Sequence, residues 1–135
     1  MTEANPLVAV VDDDPSVRRG LGRLLRACHY SVQAFESAEE FLASPCLDEC
    51  ACAVVDVRMP GIDGIELQKR LAASHPRLPV IIVTGQDDSS VRVRATELHA
   101  VAFFYKPISQ ADLMQAIRQA LAEGRRTSHD GGPAP

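Results

Sequence analysis

Five short apolar segments alternate with helical segments along the chain, and this alternation restricts the fold more than any other feature of the sequence. Strands are predicted at residues 7–11, 31–35, 51–57, 80–83 and 101–105, and helices at 15–28, 38–42, 65–74, 88–98 and 110–121. Runs that are apolar at every position are typical of parallel strands covered on both faces. Five strand–helix units predict an α/β fold, a doubly wound five-stranded parallel sheet with strand order 2-1-3-4-5.

Local signals mark the limits of these elements. Asp14-Pro15 opens the first helix, and Ser37 and Ser109 begin capping boxes. Residues 45–49 are predicted to be a loop. The apolar periodicity ends after residue 123, so residues 1–123 are predicted to form one domain and residues 124–135 a flexible tail or linker.

Charge and hydropathy exclude several classes of protein. The chain has 14 basic and 18 acidic residues and a net charge of −4, which argues against direct binding of nucleic acid. No apolar run approaches the ~18–20 residues of a membrane span. The amino terminus has no positively charged segment ahead of its apolar stretch, as a secretory signal would. We therefore expect a cytoplasmic protein without membrane contact.

The four cysteines and four histidines do not have the spacing of a metal site. Cys46, Cys50 and Cys52 are separated by three residues and one residue, whereas zinc sites favour paired Cys-x2-Cys motifs. We expect buried, unpaired thiols and no zinc or redox role.

Polar residues stand at the carboxyl ends of four predicted strands: Asp12 with Asp13, Asp56, Thr84 and Lys106. Each alone is commonly a helix cap or a turn residue, but in a parallel sheet they share one edge. Three close carboxylates repel one another, so either one is protonated or cations balance them. Oxygen donors of this kind favour Mg²⁺, and Lys106 would supply a second positive charge.

Known nucleotide-binding patterns do not fit these strand ends. No glycine-rich GxGxxG or GxxxxGK[ST] motif follows a predicted strand. Three carboxylates after the first strand would also repel the phosphate of a flavin.

Four segments together resemble the receiver domain of bacterial response regulators, whose fold is CheY-like. They are Val-Val-Asp-Asp-Asp-Pro-Ser-Val-Arg-Arg (10–19), Val-Asp-Val-Arg-Met-Pro-Gly-Ile-Asp-Gly (55–64), Ile-Ile-Val-Thr-Gly (81–85) and Phe-Phe-Tyr-Lys-Pro (103–107). The resemblance covers roughly residues 6–122, in order and with the family's spacing. Ser-Ala-Glu-Glu-Phe-Leu (37–42) further resembles the FixJ-type subgroup.

The resemblance implies a role for each site residue. Asp56 is the expected phospho-acceptor and Lys106 the phosphoryl-binding cation, with a cis bond to Pro107. The expected ligands of Mg²⁺ are Asp13 directly, Asp12 through water, Asp56 and the backbone carbonyl of Arg58. Thr84 and Phe103 are the expected switch residues, and Arg58 and Gln86 are expected to tune the access of water.

The function implied by the resemblance is phosphorelay signalling. A sensor histidine kinase would donate a phosphoryl group to Asp56, and the surface of the fourth and fifth helices and fifth strand predicted above would change. That surface would then form a homodimer or contact an effector protein. The chain would be no ordinary enzyme, catalysing only Mg²⁺-dependent phosphorylation and dephosphorylation of itself.

Three alternatives stay open. The chain could belong to a DNA-binding transcriptional regulator, either as a stand-alone fragment or as the amino-terminal fragment of that regulator. It could be a phosphohydrolase of the haloacid-dehalogenase type, although that type has a second carboxylate where this chain has Arg58. It could also be a receiver that is never phosphorylated.

His99 departs from the family pattern, which has glycine before the fifth strand. If the position requires a positive φ, histidine is strained there, although less than most residues. The expected consequence is an altered turn before the fifth strand.

Overall fold

Five parallel strands form the single sheet of the computed structural model, which describes residues 5–85 and 89–131. The strand order is β2-β1-β3-β4-β5, which confirms the predicted doubly wound topology. The strands are β1 (Leu7–Val11), β2 (Ser31–Phe35), β3 (Cys52–Asp56), β4 (Val80–Thr84) and β5 (Ala102–Tyr105). The helices are α1 (Pro15–Ala27), α2 (Ala38–Leu42), α3 (Cys46–Glu49), α4 (Gly64–Ser74), α5 (Ser89–Glu97) and α6 (Gln110–Gly131).

Helices cover both faces of the sheet because alternate residues of each central strand point to opposite sides. Ala9 and Val11 of β1 pack in one apolar cluster with Phe41 of α2 and Leu71 of α4. Val8 and Val10 pack in a second cluster, with side chains of α1 and α6. All residues of β3 and β4 are buried, as expected for central parallel strands.

Two predicted boundaries are wrong. Residues 45–49 are not a loop, because the Ser44 hydroxyl accepts the amide hydrogen of Cys46 and a helical turn, α3, follows. Burial of Cys46 and packing of Leu47 on the core stabilise that turn. The last helix also continues past residue 123 to Gly131, since helical hydrogen bonding does not require an apolar stripe.

All four cysteines are unpaired, but the prediction that they are buried is correct for only two of them. Cys46 and Cys52 are buried, Cys50 is half-buried and Cys28 is exposed because it caps the end of α1. Burial raises the pKa of Cys50 and Cys52 to about 12, so both are protonated at neutral pH.

Helix caps lie where the sequence predicts them. The Asp14 carboxylate accepts the amide hydrogen of Ser16 at 2.9 Å, and hydrogen bonds from Ser16 lower the pKa of Asp14. The Ser37 and Ser109 hydroxyls accept the amide hydrogens of Glu40 and Asp112 at 3.1 and 3.2 Å. These bonds satisfy amide groups that have no partner within their own helix.

His99 adopts the left-handed backbone conformation, with φ of 68°, as its position in the family pattern suggested. The amide groups of His99 and Ala100 donate to the carbonyls of Thr96 and Ala95, which closes the end of α5. The same arrangement ends α1, where His29 has φ of 70°. The turn before β5 is therefore an ordinary helix terminus with histidine in the place usually taken by glycine.

None of the helices in the described part of the chain is both long and apolar enough to cross a membrane.

We predict opposite effects for alanine at two glycines. A Cβ at Gly64 would meet the carbonyl oxygen of Asp56 and lie 2.7 Å from the Cα of Val57, whereas a Cβ at Gly20 meets nothing within 4 Å. Gly64→Ala should lower the free energy of unfolding by roughly 1–3 kcal/mol. Gly20→Ala, in the interior of α1, should raise it by about 0.5–1 kcal/mol. Urea denaturation measures both, and equal stability of the two variants would contradict the packing described for α4.

Candidate functional site

Three carboxylates meet at the edge of the sheet where β1 and β3 end. Val11 of β1 is paired with Val55 of β3, so the residues that follow, Asp12 and Asp56, are neighbours. Carboxylate oxygens of Asp12, Asp13 and Asp56 all lie within 4.8 Å of one another. The structure therefore brings together the acidic residues that the sequence predicted to converge.

Lys106 approaches the same carboxylates from the end of β5. Its Nζ lies 3.1 Å from Oδ2 of Asp12 and 3.6 Å from Oδ1 of Asp56. The Lys106–Pro107 peptide bond is cis, as the resemblance implied. The backbone amide of Lys106 donates to the carbonyl oxygen of Thr84 at 2.8 Å, which ties the position of the lysine to the end of β4.

Asp12 and Asp13 have different surroundings although they are adjacent in sequence. Asp12 is 3% exposed, and its Oδ1 accepts the amide hydrogen of Asp14 at 2.9 Å while its Oδ2 faces Lys106. The Asp13 side chain is exposed at the mouth of the cluster. Asp13 is thus the more available of the two carboxylates for direct contact with a cation.

The surroundings of Asp56 make its carboxyl group bind a proton more tightly than an ordinary aspartate does. Burial, followed by the nearby charge of Asp12, raises the pKa of Asp56 to about 6, even though Lys106 and the amide of Arg58 oppose the shift. Burial alone would lower the pKa of Lys106, but the charges of Asp56 and Asp12 raise it overall, which keeps the lysine positive.

A hard divalent cation fits this cluster. Oδ1 of Asp56 is buried and has no hydrogen-bond donor within the described residues. Three oxygen donors on two adjacent strand ends, one of them exposed to solvent, match the preference of Mg²⁺ for carboxylates and retained water. The donor set and the unsatisfied oxygen both indicate a cation site.

The predicted switch residues lie on β4 and β5, the two strands joined by the bond from the Lys106 amide to the Thr84 carbonyl. Thr84 ends β4, is 1% exposed and is paired with Tyr105 of β5. The Phe103 ring is half-buried, 5.1 Å from the Tyr105 ring and 6.0 Å from the Arg92 guanidinium carbon. Gln86, the second residue predicted to tune water access, lies outside the described residues.

Sequence reasoning missed a structural role for Arg18 of α1. Its Nη1 donates to the carbonyl oxygen of Asp12 at 2.7 Å, which fixes the backbone that carries the acidic pair. The only signal in the sequence is the presence of Arg18 in the segment Val-Val-Asp-Asp-Asp-Pro-Ser-Val-Arg-Arg. Neither charge nor spacing alone could show that it contacts a backbone carbonyl.

Comparison with known families shows which family the chain belongs to. Residues 8–118 match the model of the response regulator receiver domain. The chain belongs to this family. Receiver domains generally bind Mg²⁺ at an acidic pocket, and the cluster of Asp12, Asp13 and Asp56 could hold a metal ion.

Related proteins agree with this assignment. The chain is 41% identical over 117 residues to the transcriptional regulatory protein FixJ of Bradyrhizobium diazoefficiens, covering 86% of this chain and 57% of FixJ. It is 40% identical over 127 residues to nodulation protein W of the same species, covering 93% of this chain and 56% of that protein. The chain thus spans about half the length of these curated relatives.

Solved structures share the receiver fold. The response regulator StyR superposes with a TM-score of 0.85 at 39% identity, covering 96% of this chain and 67% of the StyR chain. A CheY-like receiver domain protein from Methanospirillum hungatei superposes with a TM-score of 0.85 at 26% identity, covering 90% of this chain and 98% of that chain.

We predict that Asp56→Asn stabilises the metal-free protein in a pH-dependent manner. A carboxyl group whose pKa rises from 3.8 to about 6 on folding binds its proton more tightly in the folded state. The free energy of unfolding of the wild type should therefore fall as pH rises through this range. At pH 7.5 with EDTA, Asp56→Asn should be more stable than the wild type by roughly 1–3 kcal/mol, and at pH 4 by much less.

Urea denaturation at the two pH values measures this difference. Equal stability of the two proteins at pH 7.5 would show that the Asp56 carboxylate carries no electrostatic cost in the folded state.

Proposed function

We propose that Asp56 accepts a phosphoryl group from a sensor histidine kinase and that the phosphorylated chain acts as a molecular switch. The chain is a receiver domain of a two-component response regulator and takes part in phosphorelay signalling. The observation that carries the assignment to Asp56 is its place between Lys106 and the acidic pair, with one oxygen lacking a hydrogen-bond donor.

The transfer is an in-line displacement at phosphorus. A carboxylate oxygen of Asp56 attacks the phosphohistidine phosphorus, a P–O bond forms, the P–N bond breaks, and the histidine departs with its electron pair. Mg²⁺, when bound, neutralises charge on the phosphoryl oxygens. Lys106 would add its own positive charge, so catalysis consists of positioning and electrostatic stabilisation.

We assign Asp13, Asp56 and the carbonyl oxygen of Arg58 as direct ligands of Mg²⁺, with Asp12 acting through water. Asp12 already accepts from the Asp14 amide and faces Lys106, which supports its indirect role. The exposure of Asp13 supports direct ligation. Arg58 and Gln86 are proposed to govern how water reaches the acyl phosphate.

The switch begins with the new charge on Asp56. A phosphoryl group carries nearly two negative charges and offers new acceptor oxygens. Lys106 and the Thr84 hydroxyl would follow these oxygens, and movement of Thr84 would leave space for the Phe103 ring. The outward result is a changed surface on α5, β5 and α6, through which the chain forms a homodimer or contacts an effector protein.

A place within a longer DNA-binding regulator is the second candidate. It is supported by the name of FixJ, a transcriptional regulatory protein, and by the coverage of only 57% of its length. In that case residues 1–123 remain the receiver domain and residues 124–135 lead toward the next domain.

The protein is also proposed to be cytoplasmic, because histidine kinases donate their phosphoryl groups in the cytoplasm.

Phosphorylation at a single residue is the first prediction from this proposal. With acetyl phosphate and Mg²⁺, the wild type should gain one phosphoryl group by intact-mass measurement, and Asp56→Asn none. EDTA should suppress the labelling.

Three outcomes of that experiment distinguish the alternatives. Equal labelling of Asp56→Asn would refute the assignment of the acceptor. No labelling of the wild type would favour a receiver that is never phosphorylated. Continuous turnover of a generic phosphomonoester would favour a phosphohydrolase.

Separation of phosphorylation from output is the second prediction. The Phe103 ring contacts Tyr105 and Arg92 rather than the carboxylates, so Phe103→Ala should be labelled at Asp56 within about twofold of the wild-type rate. Beryllofluoride, a mimic of the phosphoryl group, should change amide exchange in α5 and β5 of the wild type but not of Phe103→Ala. If beryllofluoride binds the wild type and changes neither amide exchange nor sedimentation, the switching model is wrong for this chain.

A further inference from the structure

We propose that Glu39 of α2 is a positioning residue for the metal-binding loop, defined as residues 57–63 between β3 and α4. This loop carries the Arg58 carbonyl, so the inference rests on the Mg²⁺ site proposed above. Glu39 lies on a different element from every assigned ligand and acts through the backbone of the loop.

The Glu39 carboxylate contacts the metal-binding loop in two ways. Its Oε2 accepts the amide hydrogen of Ile62 at 3.2 Å, across 23 residues of sequence. It also lies flat against Gly61, where a Cβ would meet Oε2 and lie 3.3 Å from Cδ. Gly61 has φ of 76°, so glycine is required there both by backbone conformation and by the approach of Glu39.

The base of the metal-binding loop is fixed separately from its outer part. At the base, the Gly64 amide donates to the Val57 carbonyl at 2.9 Å, and the Met59 side chain is buried. The outer part turns at Gly61, and the bond from Ile62 to Glu39 joins it to α2. Arg58 lies between these attachments, so the direction of its carbonyl depends on both.

The support for Glu39 is rigid although the side chain itself is exposed. Ala38 and Phe41 of α2 are fully buried, and the Phe41 ring lies 5.3 Å from the Phe35 ring. The Ser37 hydroxyl caps the first turn of the helix. A carboxylate held on such a helix can fix the loop in a way that an unanchored surface side chain could not.

Glu40 provides a matched control within the same helical turn. Its Oε1 accepts the amide hydrogen of Glu36 at 3.1 Å, so it stabilises the start of its own helix. Glu39 and Glu40 have the same charge and are both exposed. They differ in the amide group from which each accepts a hydrogen bond, that of Ile62 for Glu39 and that of Glu36 for Glu40.

Four variants separate contact, charge and local stability. Glu39→Ala removes the acceptor, and Glu39→Asp keeps the charge but shortens the side chain. Glu39→Gln keeps the reach and an acceptor oxygen without the charge, and Glu40→Ala loosens the start of α2 alone. Calorimetric titration measures the dissociation constant for Mg²⁺, and amide hydrogen exchange at Ile62 reports the contact in metal-free protein.

Glu39→Ala and Glu39→Asp should raise the dissociation constant for Mg²⁺ by about threefold to tenfold, the effect of losing one hydrogen bond. Both should speed amide exchange at Ile62. Glu39→Gln and Glu40→Ala should remain within about twofold of the wild type in Mg²⁺ affinity, because the contact survives in each. If Glu39→Ala does not fold, Glu39→Asp gives the same comparison.

Several results would overturn the inference. These are unchanged Mg²⁺ affinity in both Glu39→Ala and Glu39→Asp, an equal loss in Glu40→Ala, or an equal loss in Glu39→Gln. A wild type that binds no Mg²⁺ would refute the metal site and this inference with it. A wild type that binds Mg²⁺ but is not phosphorylated would refute only the phosphoryl transfer, and the comparison among the variants would stand.

Discussion

Repulsion between two buried carboxylates, Asp12 and Asp56, is the constraint on which the rest of this structure depends. The strand order places the ends of β1 and β3 side by side, so Asp12 and Asp56 are neighbours. Their side chains are 5% exposed, which removes most of the screening by water. Lys106 offsets these effects only in part, since burial and then the charge of Asp12 still leave the pKa of Asp56 raised. The fold thus accepts local instability in exchange for a site that attracts cations.

The same constraint supports the proposal that the site acts as a switch. Lys106 is held by charge to Asp12 and Asp56 and by its backbone amide to the Thr84 carbonyl. Any change of charge on Asp56 therefore acts on the ends of β4 and β5 at once. Phe103 and Tyr105 lie on β5, the strand that ends immediately before Lys106, and their rings contact each other. The charge on Asp56 and the ring packing of Phe103 and Tyr105 are thus connected through Lys106, which directly follows β5.

The sequence was sufficient to predict the elements that repeat and insufficient for contacts between distant segments. Apolar runs gave the strands, and the strand order brought Asp12, Asp13, Asp56 and Lys106 to one edge. The turn α3 was missed because it depends on a hydrogen bond from the Cys46 amide to the Ser44 hydroxyl and on the burial of Cys46, not on periodicity. In the sequence alone, Glu39 is an ordinary acidic residue in the first turn of a helix. Only the folded chain shows it on the amide of Ile62.

The attachment of α5 decides how readily the output surface can move. Among the described side chains of α5 and its immediate ends, Ala95 is fully buried, and Val93 is 55% exposed. Gln68 of α4 holds the end of the helix, donating from Nε2 to the Leu98 carbonyl at 2.9 Å. Its Oε1 is buried and lacks a donor within the described residues, so this tie is incompletely satisfied. Since little of α5 is fully buried and the Gln68 amide is only partly hydrogen-bonded, we expect α5 to be displaced at smaller cost than β3 and β4, whose residues are all buried. The edge proposed to bind the phosphoryl group thus lies at the end of fully buried strands, whereas the surface proposed to respond includes a less buried helix, as a switch would require.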